Sequence, residues 1–300
     1  MGATTSCLRA LGVECDKIDV AGMSGYAFHF CIRDNVCPSG PTLLNLEALS
    51  YGTQFLGRST AQSWGVQGFA PGELDEHSRS QCRAAFELAK RELDAGRPCV
   101  VAGVSQCEFG FVVGYDGDSY VNQDGHAVRY DQIDPSGAGG AYVLGFPGTV
   151  ASLGRRATRY ALHNATAMFN NPFWPGTDCG GKAYDQWMRA LRERRADAFG
   201  CGYNAACYAE GRRLAHGFLH RLTQSDDFLA AALSDAVVLY ERAAQAMETV
   251  ERLLPVSGGD GAIRDDGRIA QAVEALRTAR EAECQAIERL VCCVRMEWPA

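Results

Sequence analysis

Apolar and polar residues follow two different patterns along the chain. Up to about residue 152, short apolar runs alternate with glycine and aspartate turns, which is typical of short strands and helices. From residue 154 onward, apolar residues recur at i, i+3 and i+4, the spacing of amphipathic helices. The change predicts an α/β (α+β) fold with an antiparallel-sheet domain at residues 1–152 and a C-terminal helical bundle at residues 153–300.

The N-terminal half is predicted to contain helices and an antiparallel meander. The hydroxyl residues 4–6 form an N-cap candidate, so we expect Cys7 in the first turn of a short helix that ends near Gly12. Asp116-Gly117 supplies the positive φ angles of a type I′ hairpin turn. Two further helices are predicted at residues 42–56 and 76–95, and strands at residues 99–104, 109–115, 118–122 and 141–146.

The C-terminal half is predicted to be a bundle of antiparallel helices. Asp226 and Asp227 are good helix starts, and Pro255 ends the helix that follows them. Short loops between successive helices favour antiparallel neighbours. The predicted helices cover residues 155–169, 183–198, 203–223, 226–253 and 267–294.

Charge and hydropathy limit the classes of partner. The formal net charge of −7 disfavours nucleic acid, which is bound by clustered Lys and Arg. No segment reaches the ~20 apolar residues that span a bilayer, and the first residues lack the apolar core of a signal peptide. We therefore predict a cytoplasmic protein with neither a nucleic-acid nor a membrane partner, and the sequence leaves open whether it forms an oligomer.

The cysteines and glycines predict no cofactor. Thirteen cysteines are an odd number at irregular spacing, which favours reduced thiols without a structural disulfide. CxxC pairs, which mark zinc sites, do not occur, and the glycines do not form a strand–GxGxxG–helix unit for a dinucleotide. We therefore expect neither a metal nor an organic cofactor.

Cys7 is the candidate nucleophile. In the first turn of a helix, the positive end of the helix dipole lowers the pKa of a thiol, and free backbone amides can hold an oxyanion. The alternative is that Cys7 is a small apolar residue that packs this helix. The 37–42 loop could line a pocket or have a structural role only. The aromatic residues of irregular segments could frame a cleft or anchor loops on the bundle: Trp64, Phe69, Phe173 and Trp174.

Five motifs of the first half occur in the order and spacing of a known family. They are residues 7–12 (CLRALG), 21–28 (AGMSGYAF), 97–101 (RPCVV), 109–116 (FGFVVGYD) and 120–124 (YVNQD). Over residues 5–146 the chain resembles the papain-like proteins grouped with the butirosin-biosynthesis H acyltransferase and with bacteriocin-leader cysteine peptidases. Residues 202–210 (GYNAACYAE) are similar to the helical tail that accompanies such domains in bacterial proteins.

The resemblance implies a set of catalytic roles. Cys7 is the nucleophile, a histidine just before the FVVGY strand is the general base, and Asn122 or Asp124 orients that histidine. The expected histidine position holds Glu108, and no glutamine precedes Cys7 to stabilise an oxyanion.

The identity of the general base stays open among three residues. Glu108 offers a carboxylate, His29 lies in the segment that follows the nucleophile helix, and His126 follows the hairpin near Asp124. A histidine between aromatic residues, as His29 is, is also typical of a satisfied core residue.

The sequence supports two main hypotheses of function. The first is thiol-dependent acyl or amide chemistry, an acyltransferase or a hydrolase acting on a small molecule or peptide, with an acyl carrier protein as a further candidate partner. The alternative is a catalytically degenerate papain-like module that binds a peptide, an amine or a carrier protein. A third hypothesis, a metal- or thiol-sensing protein, ranks behind both.

Overall fold

The computed structural model describes residues 1–43, 45–64, 75–105, 108–133 and 141–299, and of Glu108 only the backbone. The chain is mixed α/β with a helical C-terminal region, as predicted. Its helices are α1 Gly2–Ala10, α2 Lys17–Met23, α3 Glu47–Phe55, α4 Glu76–Asp94, α5 Arg155–Asn170, α6 Gly181–Arg192, α7 Ala198–Ser225, α8 Asp227–Leu253, α9 Gly259–Ala262 and α10 Asp266–Arg295. Its strands are β1 Cys31–Ile32, β2 Ala61–Trp64, β3 Cys99–Ser105, β4 Glu108–Asp116, β5 Ser119–Asn122, β6 Ala127–Arg129, β7 Tyr142–Gly145 and β8 Asp178–Cys179.

The chain forms two compact units. The first consists of Met1–Val20 and Thr53–Ser152, and the second of Ala21–Gly52 and Leu153–Ala300. Residues 21–52, which the sequence analysis placed in the N-terminal domain, belong to the second unit. The first unit therefore holds the large sheet, and the second holds the long C-terminal helices together with the segment that contains His29.

A six-stranded antiparallel sheet forms the centre of the first unit, in the order β2-β7-β3-β4-β5-β6. The four predicted strands are present as β3, β4, β5 and β7, whereas β2 and β6 had not been predicted. Only β3 to β6 form a meander, because β7 pairs with both β2 and β3. The predicted meander is therefore wrong for β7. Helix α4 packs on this sheet, where Phe86 meets Tyr120 edge to face at 4.9 Å between ring centroids.

The predicted β4–β5 hairpin is confirmed, with a turn shifted by one residue. Asp116 pairs with Ser119, so the two central residues of the turn are Gly117 and Asp118. Gly117 has a φ of 53°, while Asp118 is not among the residues with positive φ. Positive φ at the first central position only is the pattern of a type II′ turn, which takes glycine there. The expected type I′ turn is therefore wrong, although both turn types fit the twist of the strands.

Helix α1 begins five residues earlier than the hydroxyl cluster predicted. Met1 is its N-cap residue, and the Thr5 hydroxyl donates to the Met1 carbonyl at 3.1 Å instead of capping a new helix. Thr and Ser side chains can bond to the carbonyl four residues earlier in this way without ending the helix. Cys7 therefore lies in the last turn of α1, and its predicted first-turn position is wrong.

The long helices of the second unit match the predicted bundle segments to within a few residues at most ends. Helix α8 packs against α7 and α10, and α10 also contacts α5 and α6. Asp226 caps α8 by accepting from the amides of Phe228 and Leu229 at 2.9 and 3.3 Å. In the described part of the chain, none of the helices combines the length and apolar character needed to cross a bilayer. Fully buried leucines, each worth about 1.5–3 kcal/mol, fill the bundle core: Leu219, Leu233, Leu276 and Leu290.

Two cysteines of the second unit form a disulfide. Cys31 in β1 and Cys179 in β8 are direct partners in the two-stranded antiparallel sheet, with their Cα atoms 4.3 Å apart. This separation brings the two side chains close enough to be bridged without moving the backbone. The prediction that none of the cysteines forms a structural disulfide is therefore wrong for this pair. Among the described residues the remaining cysteines are free thiols.

Candidate functional site

Cys7 lies in an environment that opposes ionisation. Its side chain is fully buried, and α1 packs against β3 and β4 of the sheet. Burial raises the pKa of the Cys7 thiol well above its usual range, and the neighbouring thiol of Cys99 on β3 adds to the effect. The last turn of a helix also carries the negative end of the dipole, which disfavours a thiolate. In this conformation Cys7 is a buried core residue with a neutral thiol.

The other predicted residues of the first unit lie at the start of β4 and at the end of β5. The backbone of Glu108 pairs with Ser105, and its side chain lies outside the described residues. The Asn122 Oδ1 accepts from the backbone amides of Asp124 and His126, both at 3.0 Å. These bonds shape the turn that follows β5 and occupy the oxygen that would orient a catalytic histidine. The side chains of Asp124 and His126 are exposed in the same turn.

His29 belongs to the second unit, unlike Cys7, Glu108, Asn122 and Asp124. It is 3% exposed and follows the 3-10 helix Tyr26–Phe28. Its Nε2 donates to the Gly40 carbonyl at 3.1 Å. Of the five predicted site residues, His29 is thus the one that does not belong to the unit that contains the six-stranded sheet.

The imidazole of His29 is neutral at neutral pH. Burial lowers its pKa from 6.5 to about 4, and the charge of Arg212 acts in the same direction. The carbonyls of Gly40 and Met168 oppose the shift because they stabilise the doubly protonated ring, which can donate a hydrogen bond to each of them. With a pKa near 4, His29 is a neutral side chain at neutral pH, and its bond to Gly40 fixes the ring.

A cavity of about 240 Å³ lies beside His29 within the second unit. Its wall contains three kinds of residue: the side-chain amides of asparagines, small or flexible apolar side chains, and two aromatic rings that are partly exposed. No charged side chain lines it among the described residues. Besides His29, the lining residues are Asn45, Asn164, Asn171, Leu43, Ala48, Ala167, Met168, Pro172, Tyr51 and Phe173.

Close packing fixes the position of the cavity wall that contains His29. Gly25 has a φ of 78°, and a side chain there would meet the backbone of Asn164 and Ala165 on α5 at 3.0–3.2 Å. Glycine is therefore required for the chain to turn against α5. Phe30, next to His29, stacks on Tyr184 with ring centroids 3.9 Å apart. These contacts hold the His29 segment against the helices on both sides.

A buried ion pair lies behind this wall. Arg212 on α7 and Glu283 on α10 are both fully buried, and Arg212 donates from Nε and Nη2 to the Glu283 Oε2 at 3.2 and 3.0 Å. Tyr184 donates its hydroxyl to the same oxygen at 2.7 Å. Arg212 also donates from Nη1 to the His29 carbonyl at 2.8 Å. The ion pair therefore holds the backbone of the residue that faces the cavity.

Sequence reasoning found part of this site. It singled out His29, and it left open whether Phe173 lines a cleft or anchors a loop; both residues line the cavity. It missed Asn164 and Asn171, because single asparagines on a helix and in a loop have no pattern that marks a wall. It also missed the Arg212–Glu283 pair, whose members are 71 residues apart.

Comparison with known proteins does not assign the chain to a family. No family model matches it, and no curated protein matches it.

Proposed function

We propose that this chain binds a small uncharged molecule, a peptide segment or a related amide, in the cavity beside His29. This is the non-catalytic alternative of the sequence analysis, a module of papain-like resemblance that binds and does not react. The observation that carries the proposal is the composition of the wall, which combines amide side chains, a neutral imidazole and apolar surface without a described charge.

The polar groups of the wall suit a peptide group. An asparagine side chain offers both donors and an acceptor, as a peptide group does, so each can complement the other. The Asn45 Oδ1 already accepts from the Glu47 amide at 3.0 Å, which leaves its NH₂ group as the donor for a ligand. Asn164 and Asn171 make no described side-chain hydrogen bond. Their carbonyl oxygens and NH₂ groups are therefore available to a ligand.

The volume of the cavity and its uncharged lining limit which ligands it can hold. The cavity of about 240 Å³ is slightly smaller than the range of roughly 300–1,000 Å³ that holds drug-sized ligands. A cavity of this volume suits a single amino-acid side chain of a ligand together with the peptide group next to it. An ammonium or carboxylate group would lose its hydration without gaining an opposite charge, which is unfavourable. Among the peptide, amine and carrier protein considered from sequence, an uncharged peptide segment fits best.

Titration with blocked amino acids tests the proposal. We expect saturable binding of N-acetyl-phenylalaninamide or N-acetyl-leucinamide by calorimetry or NMR, and much weaker binding of free phenylalanine, which carries both charges. Ala167→Phe places a ring inside the cavity and is expected to abolish binding. Ala231→Phe, at an exposed position of α8, is the matched control and is expected to bind normally. Equal binding by both variants, or none of the ligands binding, contradicts the proposal.

Thiol-dependent acyl or amide chemistry at Cys7 is the second candidate. It is favoured by the packing of α1 against β4, the strand that begins at Glu108, together with the resemblance over residues 5–146. The reaction requires a conformation in which Cys7 is exposed, because a buried neutral thiol is a poor nucleophile. Incubation with activated thioesters then yields an acylated Cys7 detectable by mass spectrometry, and Glu108→Gln lowers the rate by about 10²–10⁴ if Glu108 is the base. Absence of the acyl adduct on Cys7 eliminates this candidate.

A further inference from the structure

One face of α5 is positively charged and aromatic. Arg156, Arg159, Tyr160 and His163 follow the spacing i, i+3, i+4 and i+7, so they share one side of the helix, and all four are exposed. The opposite side of α5 is buried in the bundle by Ala157, Ala161, Leu162 and Ala165. A ligand can therefore contact the exposed side without disturbing the core.

Two concave spaces adjoin this face. The first has a volume of about 680 Å³ and is lined by Arg156, Arg159, Leu153 and Trp298, among others. The second has a volume of about 380 Å³, and its lining includes the same two arginines with Tyr160 and His163. Arg156 and Arg159 thus stand between the two spaces and contribute to both.

The charge of these two arginines is not neutralised by the described residues. Arg159 donates from Nε to the main-chain carbonyl of Val294 at 3.0 Å, which orients its guanidinium but supplies no negative charge. The Arg156 side chain has no described ion-pair or hydrogen-bond partner. Arg155, by contrast, pairs with Asp226 at 2.7 Å. Among the described residues no carboxylate lines either space.

Uncompensated arginines are notable in a chain of net charge −7. The chain has more acidic than basic residues, yet none of the described aspartates and glutamates lines either space. Two neighbouring guanidinium groups repel each other, and an oxyanion placed between them removes the repulsion. The planar guanidinium also offers parallel N–H donors that match the oxygens of a phosphate. The arrangement is therefore suited to an anion.

We propose that this face binds an organic phosphate of low molecular weight, whose phosphate lies on Arg156 and Arg159. Its apolar part packs in the larger space against Leu153 and Trp298. The concavity of the two spaces favours a small molecule over a flat membrane surface, and the Trp298 ring is held in place because its Nε1 donates to the Cys293 carbonyl at 3.0 Å. The site is separate from the cavity beside His29 and does not depend on the function proposed for that cavity.

Calorimetric titration with 1-naphthyl phosphate tests this site. We expect saturable binding that weakens as salt is added, weaker binding of inorganic phosphate, and no binding of 1-naphthol. Arg156→Gln is expected to weaken binding by about tenfold or more, because it removes a charge-assisted hydrogen bond. Arg156 is exposed, so the variant is expected to fold. Arg252→Gln, on the exposed surface of α8 and outside both spaces, is the control and is expected to change affinity less than twofold.

Three results overturn the proposal. The first is equal binding of 1-naphthyl phosphate and 1-naphthol, which indicates an apolar site only. The second is an equal affinity of Arg156→Gln and Arg252→Gln for the phosphate. The third is a failure to bind any soluble phosphate while the protein sediments with phosphatidylserine–phosphatidylcholine vesicles, which assigns the face to a membrane surface instead.

Discussion

Protonation of His29 is expected to destabilise the folded chain. The perturbation is a fall in pH, and the group affected is a buried imidazole whose pKa is about 4 in the folded state against 6.5 when exposed. Between these two values the unfolded chain takes up a proton at this position and the folded chain does not. The free energy of unfolding therefore falls as the pH falls through this window, and above it His29 makes no pH-dependent contribution.

The size of the effect follows from the two pKa values. Each tenfold difference in proton affinity is worth ~1.36 kcal/mol, so the complete titration of His29 from 6.5 to about 4 corresponds to about 3 kcal/mol. Over the accessible part of the window, from about pH 7 to about pH 4.5, we expect about 2–3 kcal/mol. This is a large part of the stability of an ordinary domain, which is about 5–15 kcal/mol.

Urea denaturation at a series of pH values measures this contribution. Aspartates and glutamates also titrate in the same range, so the wild-type curve must be compared with that of His29→Gln. The glutamine cannot take up a proton, and it retains an NH₂ donor for the Gly40 carbonyl. His163→Gln, at an exposed position of α5, controls for the loss of a histidine elsewhere.

The prediction is tested by comparing how the unfolding free energies of wild type and His29→Gln depend on pH. We expect the unfolding free energy of His29→Gln to fall by about 2–3 kcal/mol less than that of the wild type over this range. We expect the His163→Gln curve to run parallel to that of the wild type. Parallel curves for wild type and His29→Gln refute the reasoning. A His29 pKa near 6.5 measured by NMR in the folded chain refutes it independently.

Three other predictions follow from the buried groups. Cys7 is expected to react with iodoacetamide much more slowly in the folded chain than in urea, as followed by peptide mass spectrometry; equal rates contradict its burial. Glu283→Gln is expected to cost about 3–5 kcal/mol in urea denaturation because it leaves Arg212 unpaired, whereas a cost below that of the exposed Glu281→Gln contradicts this. Dithiothreitol is expected to open the Cys31–Cys179 disulfide and lower the unfolding free energy by up to about 5 kcal/mol; a chain whose mass shows no disulfide before reduction contradicts this.

Local signals in the sequence predicted most of the elements. The Asp226 cap, the Asp-Gly signal at the end of β4 and the helical spacing beyond residue 154 each act over a few residues, and each identified an element that is present. The predicted start of α1 was wrong because a hydroxyl near the start of a helix can either cap the helix or donate a hydrogen bond to an earlier carbonyl. The choice depends on where the preceding residues lie, which local sequence does not determine.

Non-local pairing was harder to predict. The position of β7 between β2 and β3 depends on chain segments that are far apart in sequence. The disulfide joins residues 148 apart, and an odd number of cysteines at irregular spacing does not reveal that two of them meet across a β-bridge. In both cases the fold brings together residues that have no local pattern in common.

The surroundings of the candidate functional residues were also hard to predict, because they depend on segments that are far apart in sequence. The resemblance directed attention to Cys7, whose helix was expected to present it at an exposed N-terminus; instead, the last turn of α1 buries it against the sheet. His29 was considered as a base for Cys7 or as a core residue. It belongs to the other compact unit and lines a cavity there, a role that depends on α5 and on the loop that contains Phe173.

The buried ion pair gives a physical reason for the character of that cavity. A buried pair of charges is often no more stabilising than two well-packed apolar residues, so stability alone does not explain Arg212 and Glu283. Apolar side chains in their place would leave the His29 carbonyl without the donor that it has at 2.8 Å. They would also remove the positive charge that helps to keep the imidazole neutral. The pair therefore fixes the His29 backbone, and its arginine adds to the burial that keeps the imidazole uncharged. Both effects favour the uncharged ligand that we propose for this cavity.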